Sequence, residues 1–166
     1  MGKNPTDRGK KGSKASLLVE GDGGPLSVVL AAANVNDHLL LRETLEAIVI
    51  ERPAPTRQAP QHLCLDADYD NPSSRAAAAA AGYTPHIVPV PKEKRCQARR
   101  KGYQARRWVV ERTFAWLCKC RGILVRYDKK DENYLGLLQL ACALCWYRRL
   151  YRLGRCDTKR GRQNTS

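Results

Sequence analysis

The chain has 166 residues, 30 of them Lys or Arg against 16 Asp or Glu, for a formal net charge of +14. At 43% hydrophobic and 28% charged it is not a disordered chain, and its length suits one domain with its own core. The longest uncharged apolar stretch, Tyr134 to Tyr147, is shorter than the about 20 residues of a membrane span. No apolar leader is expected, and seven cysteines without a secretory signal read as reduced thiols, so a cytoplasmic chain is expected.

Residues 1–14 are rich in Gly and Lys and read as a basic arm. Ala15 to Glu20 and Leu26 to Ala32 flank a Gly-Asp-Gly-Gly-Pro turn, the pattern of an antiparallel hairpin. Asn36 or Asp37 can cap a helix over His38 to Ile50, with Leu41, Leu45 and Ile48 on its apolar face. A proline-rich loop follows over residues 52–60. His62-Leu63-Cys64-Leu65 is a short buried strand that runs directly into Asp66. Asn71 caps the next helix, Pro72 opens it, the alanine run forms its body and Gly82 ends it. His86 to Val90 reads as another strand, with Pro89 placing it at an edge.

Arg107 to Lys119 reads as a helix whose core face is Val110, Phe114 and Leu117. The last helix runs from about Asp131 to Leu153, with its uncharged half buried and its Arg148-Arg149-Leu150-Tyr151-Arg152 end exposed. The order is that of an α/β fold with an antiparallel start, spanning residues 15–153 and followed by a basic disordered tail over 154–166. Trp108, Trp116 and Trp146 sit on apolar helix faces and read as core. Cys118 with Cys120, and Cys142 with Cys145, lie in predicted helices rather than on knuckle turns, so buried thiols are favoured over zinc. His38, His62 and His86 read as isolated structural or surface residues.

The charge is segregated. Residues 15–91 carry four basic and nine acidic side chains, whereas residues 92–107 carry eight basic and one acidic. Lys94, Arg95, Arg99, Arg100, Lys101, Arg106 and Arg107 form the densest cationic run. Clustered cations beside an acidic body are the footprint of a protein that binds a polyanion such as double-stranded DNA.

Two acids stand out as chemistry. Asp66 closes an apolar strand and opens an Asp-Ala-Asp-Tyr-Asp cluster, and close carboxylates repel unless a cation joins them. Mg²⁺ takes such oxygen ligands, whereas Asp68 and Asp70 read as turn and cap residues. Glu111 lies on the Arg107 helix within a basic neighbourhood. Alone it would be half of an ion pair with Arg107; with Asp66 it suggests metal-assisted phosphoryl transfer.

The segments Gly-Lys-Asn-Pro-Thr-Asp-Arg-Gly-Lys, Leu-Cys-Leu-Asp-Ala-Asp-Tyr-Asp and Trp-Val-Val-Glu-Arg-Thr-Phe-Ala-Trp-Leu resemble the second half of bacterial insertion-sequence transposases of the DDE type. Leu-Val-Arg-Tyr-Asp at 124–128 and the tail Leu-Cys-Trp-Tyr-Arg-Arg-Leu fit as well. The resemblance implies an RNase-H-like mixed sheet with flanking helices, and DNA cleavage and strand transfer by three carboxylates holding two Mg²⁺ ions. It maps Asp66 onto the second aspartate, Glu111 onto the glutamate and Arg107 onto the preceding arginine. Gln104 stands where the family has tyrosine, and Cys118 where it has lysine.

In that family the first aspartate lies on a strand upstream of the Pro-Thr-Asp-Arg-Gly-Lys region. The expectation is therefore a fragment lacking the first strand and the N-terminal DNA-binding domain, with little activity alone. Its expected partners are element ends and target DNA, an upstream-frame product and a second copy, with no membrane, in the nucleoid. The alternative is a basic DNA-binding protein without chemistry, or an inhibitor of transposition.

Overall fold

The computed structural model describes residues 1–4, 8–87 and 107–161, with side chains from Trp108 to Arg152 in the last of these segments. Two compact units divide it, residues 1–114 and 115–166.

In the first unit, β1 (Gly2–Lys3), β2 (Lys11–Val19) and β3 (Pro25–Ala32) form an antiparallel sheet in chain order. Strand β2 starts inside the segment expected as an arm, because Gly2 and Lys3 pair with Gly12 and Lys11. The expected hairpin joins β2 to β3, with Leu17 opposite Val28 and a register shift between Leu18 and Val19. Gly23 supplies the positive φ of 92° that its turn needs.

Helix α1 (Asp37–Glu46) packs on β2 and β3 and buries Leu40, Leu41 and Leu45. It ends four residues before the expected Ile50, leaving Val49 and Ile50 exposed ahead of the proline loop. Thr44 is buried on the same face because its hydroxyl lies 2.7 Å from both the Leu40 carbonyl and Ser16 Oγ. The loop after α1 is tied down by Arg52, which donates to Gln61 Oε1 and the Ala81 carbonyl and stacks on Tyr83.

Strand β4 (His62–Leu65) and strand β5 (Thr84–Ile87) pair in parallel, with Cys64 opposite His86. Between them lie a 3₁₀ turn (Ala67–Tyr69) and helix α2 (Pro72–Ala80). This helix starts and ends as the sequence predicts. Asn71 Oδ1 accepts the Ser74 N–H at 2.8 Å, Pro72 follows, and Gly82 closes the helix at φ 78°. Leu41, Leu45, Leu63 and Ala78 form a buried cluster, joined by Leu18, Leu65, Tyr69 and Tyr83.

Helix α3 (Arg107–Leu117) bears out Leu117 as core but corrects the rest of the expected face. Val109, Thr113 and Leu117 are its buried residues, whereas Val110 and Phe114 are half-buried. A threonine can take the central position because its hydroxyl lies 2.8 Å from the Gly23 carbonyl in the β2–β3 turn. Trp108 and Trp116 are not core residues; they are 43% and 41% exposed, and Trp108 instead lies under the Arg112 guanidinium at 4.4 Å.

The second unit holds the short helix α4 (Arg121–Leu124) and the long helix α5 (Asp131–Gly161). Ile123, Leu138 and Ala141 are buried in it, and the Tyr134 hydroxyl donates to the Ile123 carbonyl at 3.0 Å. The expectation that the uncharged half of α5 is buried is corrected, since Leu137, Leu140 and Leu144 are exposed. The helix also continues past Leu153, where the tail is expected to begin. Among the described residues no helix is long and apolar enough to cross a membrane.

Candidate functional site

An open cleft of about 350 Å³ lies within the first unit. One side is Ala15 to Val19 of β2, another is His62 to Leu65 of β4, and Val109, Val110 and Phe114 of α3 complete it. Asp66 and Glu111 both line this cleft. Asp66 reaches it because β4 ends one residue earlier, at the edge of the buried Leu63 cluster. Glu111 reaches it because it follows Val110 on the cleft side of α3. The two acids that the sequence singles out, distant in the chain, therefore share one cavity.

Asp66 is half-buried and oriented by the turn it begins. It is the N-cap of the 3₁₀ turn, and its Oδ1 accepts the Ala67 N–H at 2.6 Å. Glu111 is exposed and has no ion pair with a described residue. Asp70 is used otherwise, as the reading as a turn acid predicts; it accepts Arg75 Nη2 at 2.6 Å.

Sequence reasoning missed three neighbours. Glu20 and Asp37 also line the cleft, and Tyr69 stands beside Asp66. Asp37 is paired with Lys14 at 2.9 Å, so its charge is partly committed. The phenol of Tyr69 is pushed up to about 12, first by its burial and then by the negative charges of Asp37, Asp66 and Asp68. Among the described residues the cleft lining has four carboxylates and neither Lys nor Arg. Only the alternation of helix cap and turn could have flagged Asp37 and Glu20, because nothing in their own spacing separates them from ordinary cap and turn acids.

His62 and His86, read as isolated, are in fact neighbours. The parallel register of β4 and β5 brings His86 Nε2 within 2.7 Å of His62 Nδ1 on the exposed face of the strand pair. Their separation in sequence hid this contact, since parallel strands joined by a helix set partners far apart along the chain.

The donor set suits a hard cation. Carboxylate oxygens in a cleft open to water are the kind of donors that such a cation takes, keeping several waters of its own. Among the described residues no group of three or more His, Cys, Asp or Glu side chains has the geometry to hold a metal on its own. Burial, with Cys145 nearby, pushes the Cys142 thiol up to about 11. Arg107 opens α3, while Lys94, Arg95, Arg99, Arg100, Lys101 and Arg106 lie outside the described residues, as does Gln104.

Comparison with known proteins follows the same segments. Residues 2–146 match the family model described as Transposase DDE domain. A Burkholderia cepacia protein named "Putative transposase for insertion sequence element IS402" is 36% identical over 148 residues, covering 87% of this chain and 68% of that protein. No solved structure matches.

Proposed function

The chain belongs to the transposase DDE domain family, and from that premise we propose that its acidic cleft is the site of DNA strand cleavage and transfer in transposition. The observation that carries this reading is the meeting of Asp66 and Glu111 in one cleft whose described lining holds four carboxylates and neither Lys nor Arg. Asp66 and Glu111 are the residues that would hold Mg²⁺. Once bound, such a cation supplies activation of the attacking oxygen and stabilisation of the leaving 3′-oxygen.

The protein's own contributions follow from its residues. The Ala67 N–H holds the Asp66 carboxylate in place. The run from Lys94 to Arg107 grips DNA phosphates, giving affinity without base specificity. Element ends and target DNA are the substrates of this reading.

The fold reading is RNase-H-like, and the cleft itself supports it. Strand β2 pairs with β3 along Ser13 to Val19 but with β1 only at Lys11 and Gly12, and β4 pairs with β5 on one side. Residues of both strands, Ala15 to Val19 and His62 to Leu65, line the cleft. A strand laid between them would merge the two sheets into one mixed sheet and could bring a further acid beside Asp66.

The test separates cation binding from DNA binding. Mn²⁺ binding, followed by electron paramagnetic resonance on the purified chain, is expected to weaken roughly tenfold in both Asp66→Ala and Glu111→Ala. Affinity for a duplex oligonucleotide should change by less than about twofold in the same variants. Unchanged Mn²⁺ binding in both variants would remove the catalytic reading and leave a basic DNA-binding protein.

A further inference from the structure

Helix α5 buries one face and leaves another open. Leu138 and Ala141 are buried, whereas Leu137, Leu140, Leu144, Tyr147 and Tyr151 are 38%, 58%, 42%, 64% and 57% exposed. These five residues are spaced three, four, three and four apart, the a and d positions of a heptad repeat. On a straight helix they form one stripe, and Asn133 extends it by a further step of four. A stripe this long is unusual on a solvated helix, where exposed apolar residues are normally scattered. It is independent of the cleft, which belongs to the other unit.

The pattern fits a second copy of itself. A two-fold dimer requires a surface that is complementary to itself, with residue i meeting j and j meeting i. Run antiparallel, the stripe satisfies this in one register. Leu140 meets Leu144 of the other copy, Leu137 meets Tyr147, and Asn133 meets Tyr151. Each apolar layer then joins an a position to a d position, and the overlap is about 27 Å long.

Charge selects the antiparallel arrangement. The N-terminal turn of α5 carries Asp131 and Glu132, whereas Arg148, Arg149 and Arg152 crowd its later part. A parallel pair would set these arginines side by side at equal height. An antiparallel pair sets each cationic end against the other copy's acidic end, and also opposes the two helix dipoles.

We propose that α5 is the dimerisation helix of this protein, pairing antiparallel with α5 of a second copy through Leu137, Leu140, Leu144 and Tyr147. Sedimentation velocity on the full chain tests it, from about 1 to about 100 µM, with circular dichroism confirming that each variant is folded. The wild type should be a dimer at the upper end of that range. Leu140→Glu and Leu144→Lys should each raise the dimer Kd by roughly tenfold or more. The double variant carrying both should regain most of the lost affinity, because the antiparallel register sets the introduced carboxylate of one copy against the introduced ammonium of the other. A monomer at about 100 µM overturns the proposal and assigns the stripe to a different partner. Dimerisation insensitive to both single substitutions overturns it, and failure of the double variant to recover overturns the antiparallel register.

Discussion

Tyr69 shows how the cleft acts on a single residue. Its phenol is protonated far above the usual range, since burial disfavours the phenolate and three nearby aspartates repel it. The sign of the stability effect follows. The unfolded tyrosine titrates near 10 and the folded one near 12, so the folded state retains the proton in between. Stability from this residue is complete below pH 10 and is lost as pH rises toward 12. Urea unfolding midpoints measured across that window without divalent cation should fall more steeply for the wild type than for Tyr69→Phe. Equal slopes would show that the phenol does not sense the acids of the cleft. Beside it, Asp66 could be read from the sequence as chemistry, whereas Asp37 and Glu20 could not. An acid that ends an apolar run is visible as a break in pattern, whereas the crowding of Asp37 and Glu20 around it arises only from packing.

At the scale of elements, α2 is the part in which local chemistry and fold agree most closely. Asn71, Pro72, the alanine run and Gly82 each specify the same helix, and each does so through its own backbone preference. Asn71→Ala removes the acceptor of the Ser74 N–H and is expected to cost about 1 kcal/mol. Gly82→Ala places a Cβ at a φ of 78° and 3.2 Å from Pro55 Cγ, and should cost about 1–2 kcal/mol. Equilibrium urea denaturation measures both. Helix α3 is the contrasting case. Its periodicity announces a helix and places Leu117 in the core, but takes Val110 and Phe114 for Val109 and Thr113, because Thr113 reads as polar until the Gly23 carbonyl is brought to it. Helix α5 misleads in the same way: its uncharged run reads as buried, yet its buried residues are confined to the Leu138–Ala141 face.

Across the whole molecule, charge is the quantity that the fold cannot alter. If the cationic run grips DNA as proposed, a net charge of +14 concentrated outside residues 15–91 is expected to make the affinity steeply dependent on salt. Replacing Arg99, Arg100 and Lys101 together with alanine should reduce the magnitude of the slope of log K against log salt by about 2 to 3, at about 0.9 per phosphate contact. Filter binding to unrelated duplex sequences should show the same loss for each, since phosphate contacts carry no sequence information. An unchanged slope would move the DNA-binding surface away from this run. Asp66→Ala, by contrast, should leave the slope unaltered, so the two substitutions separate grip from chemistry.

The sequence by itself determined neither β1 nor α4, but it did determine the hairpin, most of the helices, the cap and stop of α2, the segregation of charge and the choice of Asp66 and Glu111 as candidate acids. These are local or additive properties, set by backbone preference, by patterning and by counting charges. Tertiary structure alone decided that Asp66 and Glu111 share a cleft, that Asp37, Glu20 and Tyr69 surround them, that His62 touches His86, and that α5 leaves an apolar stripe open. Each of these depends on which surfaces meet after the chain folds back on itself. Pairing across a parallel crossover or a helix face joins residues whose separation in sequence carries no sign of their contact.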